Sequence, residues 1–163
     1  MADKRLYVLA GFDAPTEDRL QAWQNRLYEE GFIGTQTKNI PQHITLGSFP
    51  VEMEQELCEQ LDRLAKETAA FPVTFNHVGI FGSGKVLFIA PDISHEMLQL
   101  KECFGSAYNW TAHSTMLIDE PDVILRAAES TLGRFAAFEG NVTQLYLYEF
   151  FPARHIATVQ FEK

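Results

Sequence analysis

At 163 residues, with 46% hydrophobic side chains and no charge block or low-complexity run, the chain is long enough for one folded domain with a sizeable core and no long disordered tail. Its net charge of −9 excludes a broad, sequence-independent grip on nucleic acid, which relies on many Lys and Arg contacts to phosphate, yet leaves room for a local site holding one phosphate or an RNA end. No stretch reaches the length of a membrane span, the apolar run from Leu6 to Phe12 is too short for a signal h-region, and Cys58 and Cys103 lack ligand-like spacing, so a cytoplasmic protein with reduced thiols and no membrane partner is expected.

Arg5 to Phe12 is aliphatic and aromatic and reads as a buried strand. Asp13-Ala14-Pro15-Thr16 offers N-cap chemistry to a helix with Leu20, Trp23 and Leu27 at helical spacing, stopped by Gly31. A polar link with Lys38, Asn39 and Pro41 leads into a strand from His43 to Pro50. Val51 to Ala70 reads as an amphipathic helix on Leu57, Leu61 and Leu64, and Val73 to Phe81 as the next strand.

Gly79-Ile80-Phe81-Gly82-Ser83-Gly84-Lys85 satisfies the first seven positions of a Walker A phosphate loop. Val86 then replaces the Ser or Thr that holds magnesium, and a strand follows where a helix is needed, so the segment reads as a hairpin turn. From Val86 the order recurs: strand to Ala90, helix capped at Ser94, strand at His113, and a helix from Asp119-Glu120-Pro121-Asp122 with Ile124, Ala127, Ala128 and Thr131 on one side. Strands Val142 to Phe151 and His155 to Phe161 end the chain. His77, His95 and His155 read as structural or solvent-facing.

Both halves thus follow one plan, strand, helix, His-x-Thr strand, helix, strand, with the first lobe covering about residues 1–82 and the second about 83–163 of a single domain. Two His-x-Thr segments would arise by chance in roughly one such sequence in twenty. Here they occupy matching places in a duplicated plan. In a strand His43 and Thr45 share one face and Ile44 and Leu46 the other, and likewise for His113 and Thr115, so a pseudo-two-fold axis would bring two imidazole-hydroxyl pairs to one cleft.

His43-Ile44-Thr45-Leu46 and His113-Ser114-Thr115-Met116, with Asn39-Ile40-Pro41-Gln42 before the first motif and Phe49 after it, resemble the 2H phosphoesterase family, which includes bacterial 2′-5′ RNA ligases and RNA 2′,3′-cyclic phosphodiesterases. Ala112 stands where many members have proline, and Met116 where leucine is commoner. The resemblance implies an α+β fold of two pseudo-symmetric αβ lobes whose antiparallel sheets line a central cleft; alternating strands and helices alone fit a parallel sheet equally well. It implies a metal-independent phosphoesterase acting on a 2′,3′-cyclic phosphate or 2′-5′ linkage in RNA or nucleotides, with His43 as general acid and His113 as general base.

The chemistry suits these residues. Imidazole titrates near neutrality and serves as acid or base, and two threonine hydroxyls can donate to the non-bridging phosphate oxygens as their charge grows. Candidate substrate contacts are Phe49, Lys85, Tyr148 and Arg154, with Lys38 a further cation and Tyr7 and Tyr146 further stacking surfaces. The expected partner is a small phosphorylated nucleotide or RNA end. No cofactor is expected, nor a metal, since no carboxylate stands at ligand spacing such as His-Glu-x-x-His. A non-catalytic nucleotide or RNA-end binding module using the same pockets is the alternative.

Overall fold

The computed structural model describes residues 3–163. Its elements follow in the order β1 (Arg5–Phe12), α1 (Ala14–Glu29), β2 (Ile44–Pro50), a 3₁₀ turn (Val51–Met53), α2 (Glu54–Glu67), β3 (Phe71–Ile80), β4 (Val86–Pro91), α3 (His95–Glu102), β5 (Ser114–Ile118), α4 (Pro121–Leu132), β6 (Phe138–Phe150) and β7 (Arg154–Gln160). Asp13 caps α1 by accepting from the Thr16 amide at 3.1 Å, and Gly31 leaves the helix at φ +91°, a conformation glycine adopts without penalty. Ser94 caps α3 through the Met97 amide. The Walker-like stretch is the end of β3 and the turn that leads into β4, with a strand and no helix after it.

All seven strands join one antiparallel sheet in the order β2-β1-β6-β3-β4-β5, with β7 also paired to β6. The expected α+β class and antiparallel pairing hold, and long β6 links what the sequence suggested as two sheets. Residues Val142–Phe150 of β6 pair with β1, whereas Phe138–Val142 pair with β3. The hydrogen-bonded units therefore cross the lobe boundary expected near residue 82: β6, which closes the repeated plan in the second half, joins β1, and β3, which closes it in the first, joins β4.

The pairing register is symmetric about the contact of Val73 with Gly140. Phe71 faces Val142 and Phe75 faces Phe138, which exchange under the two-fold. Outward from there the units match residue for residue. Leu9 sits between Thr45 and Tyr146, and Phe88 between Thr115 and Gly79. Leu46 is passed over between the pairs Val8–Gly47 and Leu9–Thr45, and Met116 between Leu87–Leu117 and Phe88–Thr115. A β-bulge thus falls at the fourth residue of both His-x-Thr motifs, a device that re-aims side chains beside functional sites.

One face of the sheet is the core. Leu6, Val8, Ala10 and Phe12 of β1, Ile44 and Leu46 of β2, Leu87 and Ile89 of β4 and Leu145 and Leu147 of β6 form one buried cluster. Residues from all four helices join it: Leu20 and Leu27, Leu57 and Leu61, Met97 and Leu100, Ile124 and Ala127. Burying each large aliphatic side chain contributes about 1.5–3 kcal/mol, so this cluster dominates the drive to fold. The alternate strand positions face away from the helices; there Leu9, Tyr146, Tyr148 and Phe150 pack together with Tyr7 and Ile40. None of the described helices is long and apolar enough to cross a membrane.

Candidate active site

β2 and β5 lie at opposite ends of the strand order, yet their N-terminal ends meet, because the sheet curls around its helix-free face. His43 and His113 each stand one residue ahead of these strands. Ile44, Leu46, Ser114 and Met116 turn to the interior, and His43, Thr45, His113 and Thr115 are half-buried on the other face, as the alternation of the motifs requires.

Both imidazoles are held alike. His43 Nδ1 lies 2.8 Å from the Pro41 carbonyl, and His113 Nδ1 lies 2.8 Å from the Thr111 carbonyl. A carbonyl only accepts, so the proton of each neutral ring sits on Nδ1 and the basic lone pair is on Nε2. Burial pushes the pKa of His43 below the ordinary 6.5 against the raising effect of the Pro41 bond, and the charge of His113 lowers it further. Burial likewise lowers His113, opposed by the Thr111 bond. Phe81 and Phe88 flank His113, with centroids at 4.8 and 5.3 Å.

A buried polar network ties the motifs together. Ser114 Oγ donates to Gln42 Oε1 at 2.9 Å; Gln42 Nε2 donates to Gln24 Oε1 at 2.8 Å and Gln21 Oε1 at 3.0 Å; Gln24 Nε2 donates to the Met116 carbonyl at 3.0 Å. A second tie runs from Trp110 Nε1 to the Thr45 carbonyl at 3.1 Å. Between the ends of β2 and β5 opens a cavity of about 200 Å³, with His43, Thr45 and Thr115 on its wall, Gln42 and Ser114 at its base, and Tyr7, Phe150 and Phe151 on the side of β1 and β6.

The candidate contact residues are distributed unevenly. Tyr148 lies on the cleft face, stacked on Phe150 at 5.7 Å and beside His155 at 5.3 Å, and burial raises its pKa. Phe49 does not face the cleft: the bulge at Leu46 brings it opposite core residue Leu6, and it packs on Phe104 at 6.4 Å. Lys85 lies in the β3–β4 turn, 3.5 Å from Glu120. Arg154 donates to Glu54 at 2.6 Å and Glu149 at 3.0 Å, and these two carboxylates raise its pKa further. Lys38 donates to the Ile33 carbonyl. Among the described residues no Lys or Arg lines the cavity, and His43 is the imidazole on its wall. Among the described residues no three His, Cys, Asp or Glu side chains gather as a metal-binding group.

Sequence reasoning missed the Gln24–Gln42–Ser114 network, Trp110 and the phenylalanines around His113. The one available signal was that Gln42 and Ser114 are polar residues at core-facing positions of apolar strands, where a buried polar group needs a partner.

Comparison with known proteins agrees with this architecture. The chain resembles the LigT protein of E. coli, solved with ATP, at a TM-score of 0.66 and 19% identity over 98% of both chains. It resembles the TT0787 protein of Thermus thermophilus at a TM-score of 0.65 and 16% identity, over 96% of this chain and 97% of that one. No curated protein matches it. At such identities these structures attest the fold. The model of the 2′-5′ RNA ligase superfamily matches residues 12–150, a span that includes both His-x-Thr motifs and the buried tie between them, and the chain belongs to that superfamily.

Proposed function

We propose that this protein is a phosphoesterase that opens a 2′,3′-cyclic phosphate or cleaves a 2′-5′ linkage of RNA or nucleotides, using its two histidines as acid and base and requiring no metal ion. The observation that carries this reading is the matched setting of the pair: each imidazole has its Nδ1–H engaged by the carbonyl two residues before it, each is followed by a threonine on the same face, and the two motifs are joined by the Ser114–Gln42 hydrogen bond.

Fixing Nδ1–H on a carbonyl leaves Nε2 as the group that gives or takes a proton, the arrangement general acid–base catalysis needs. In the hydrolytic direction neutral His113 takes a proton from water at Nε2 as the water oxygen bonds to phosphorus. The bond from phosphorus to the ribose oxygen breaks, and protonated His43 delivers its Nε2 proton to that oxygen. The products are a phosphomonoester, or a shortened RNA and a nucleotide, and the two histidines finish with their protonation states exchanged. Thr45 and Thr115 donate to the non-bridging oxygens, where charge builds in the transition state. Every proton is accounted for by the two imidazoles, and a ligation would place a ribose 5′-hydroxyl where the water stands, its oxygen bonding to the phosphorus of the cyclic phosphate as one ribose oxygen leaves.

The similar LigT protein is solved with ATP and also with 3′-AMP, which supports a nucleotide-sized ligand for this cleft. Incubation with nucleoside 2′,3′-cyclic phosphates and 2′-5′ dinucleotides in excess EDTA, with products resolved by chromatography, tests the proposal. Turnover in EDTA is expected. A protein that is stabilised by these ligands and releases no product would instead be a binding module.

A further inference from the structure

Tyr146 and Gly79 occupy matching positions in the two halves of the fold and differ in whether a side chain is present. Tyr146 of β6 faces Leu9, and its counterpart Gly79 of β3 faces Phe88. The Tyr146 ring lies against Gly11 and, with Leu9 and Ile40, fills the cleft face of the first unit. Gly79 has no side chain, and a Cβ there would run into the Phe88 ring lying over it. In the second unit the Phe88 ring takes the place over Gly79, and the cleft face beside that ring is hollow. It forms a cavity of about 420 Å³ walled by Phe88, Ala90, Trp110, Thr111 and Ala112, with Asp92 and His77 at its rim.

Three of these walls belong to the site already described. The Phe88 ring lies 5.3 Å from that of His113, the Thr111 carbonyl accepts the His113 Nδ1 proton, and Trp110 Nε1 donates to the Thr45 carbonyl. The first cavity has His43 on its wall, and this second one has Phe88 and Thr111, two neighbours of His113, on its own. Its lining suits a flat, uncharged heterocycle: Phe88, Trp110 and two alanines make its wall apolar and aromatic, and the Asp92 carboxylate, 3.5 Å from His77, can accept from N–H edges. Among the described residues no Lys or Arg lines it, and the Asp92 carboxylate at its rim disfavours a second phosphate there.

We infer that this cavity is a second nucleobase subsite, which takes the base of the nucleotide joined to the phosphate on the His113 side, and that the protein therefore prefers a diester between two nucleosides to a mononucleoside cyclic phosphate. The inference rests on the proposed reading of the histidine pair, because that pair sets where the phosphate lies.

The chain has two tryptophans, and Trp23 packs on Phe135 at the helix side, so a Trp23→Phe background leaves Trp110 as the sole tryptophan reporter. Titration with adenylyl-2′,5′-adenosine, in a His43→Gln version that slows turnover, is expected to quench Trp110 and to give a Kd about tenfold below that of adenosine 2′,3′-cyclic phosphate, the effect of one stacked base. Ala90→Leu, which fills the cavity, is expected to remove both the quenching and the affinity difference. Asp92→Ala, at the exposed rim, is the second variant should Ala90→Leu not fold, and is expected to weaken the dinucleotide several-fold. Unchanged Trp110 emission on dinucleotide binding, or equal affinity for the two ligands, would overturn the inference. Wild-type turnover is followed separately: turnover without Trp110 quenching sinks the subsite alone, whereas quenching without turnover sinks the phosphoesterase reading alone.

Discussion

Ser114 donates its hydroxyl to the carboxamide oxygen of Gln42 at 2.9 Å, across 72 positions of chain. Gln42 immediately precedes His43 and Ser114 immediately follows His113, so this one bond joins the two motifs where each enters its strand. Gln42 and Ser114 are 5% and 1% exposed, and water cannot easily replace a lost partner at that depth.

Removing the Ser114 hydroxyl leaves Gln42 Oε1 buried and unpaired, at a cost of about 1–3 kcal/mol. Ser114→Ala is therefore expected to lower stability by that amount in urea unfolding and to reduce kcat more than it raises KM. Adding Gln42→Leu should cost less than the sum of the two single changes, since one interaction is lost twice over. Additive costs would mean that the bond holds nothing together.

The mutual influence of the imidazoles is measurable without turnover. His113 lowers the pKa of His43, so His113→Gln is expected to raise it, as followed by the pH titration of the His43 ring protons in NMR spectra. A His43 titration indifferent to residue 113 would place the rings too far apart to flank one phosphate.

The pH dependence follows from the direction of both shifts. His113 must be neutral to act as base, so the rate rises as pH passes its folded pKa; His43 must be charged to act as acid, so the rate falls as pH passes its own. Both values lie below 6.5, and a bell-shaped kcat/KM profile centred on the acid side of 6.5 is expected. Stability carries the same sign: with folded values depressed, the unfolded chain binds more protons, and the contribution present above 6.5 is lost as pH falls through the folded values. A rate limb that persists in His43→Ala or His113→Ala would belong to other groups.

Arg154 is engaged by Glu54 and Glu149, on the face that the helices cover. Its replacement by alanine is expected to lower the melting temperature and to leave KM within about twofold, the behaviour of a residue outside the substrate's reach. A KM increase of about tenfold would instead put the guanidinium at the phosphate.

How far the sequence could be read depended on which forces acted locally. Period-two alternation around His43 and His113 revealed the faces of both motif strands, and Asp13, Ser94 and Gly31 marked helix ends, because caps and alternation are settled by near neighbours. The orientation of Phe49 was not legible: it depends on a bulge at Leu46, which arises only when β2 pairs with β1. Arg154 finds one partner 100 residues away in α2 and the other 5 residues away in β6, so a cation that the sequence offers to phosphate is already occupied. The exchange of β3 and β6 between the units was hidden because it too is decided by distant pairing. Duplicated order gives matching elements, but only the β3–β6 ladder shows which unit each final strand joins.

The most direct test of the central claim is the rate at which His43→Ala and His113→Ala cleave a 2′,3′-cyclic or 2′-5′-linked substrate in excess EDTA, against the wild-type chain. Each variant is expected to lose about 10²–10⁴-fold in kcat, the range for removal of a general acid or base, with its fold intact by circular dichroism. Wild-type turnover retained by either folded variant would contradict the account.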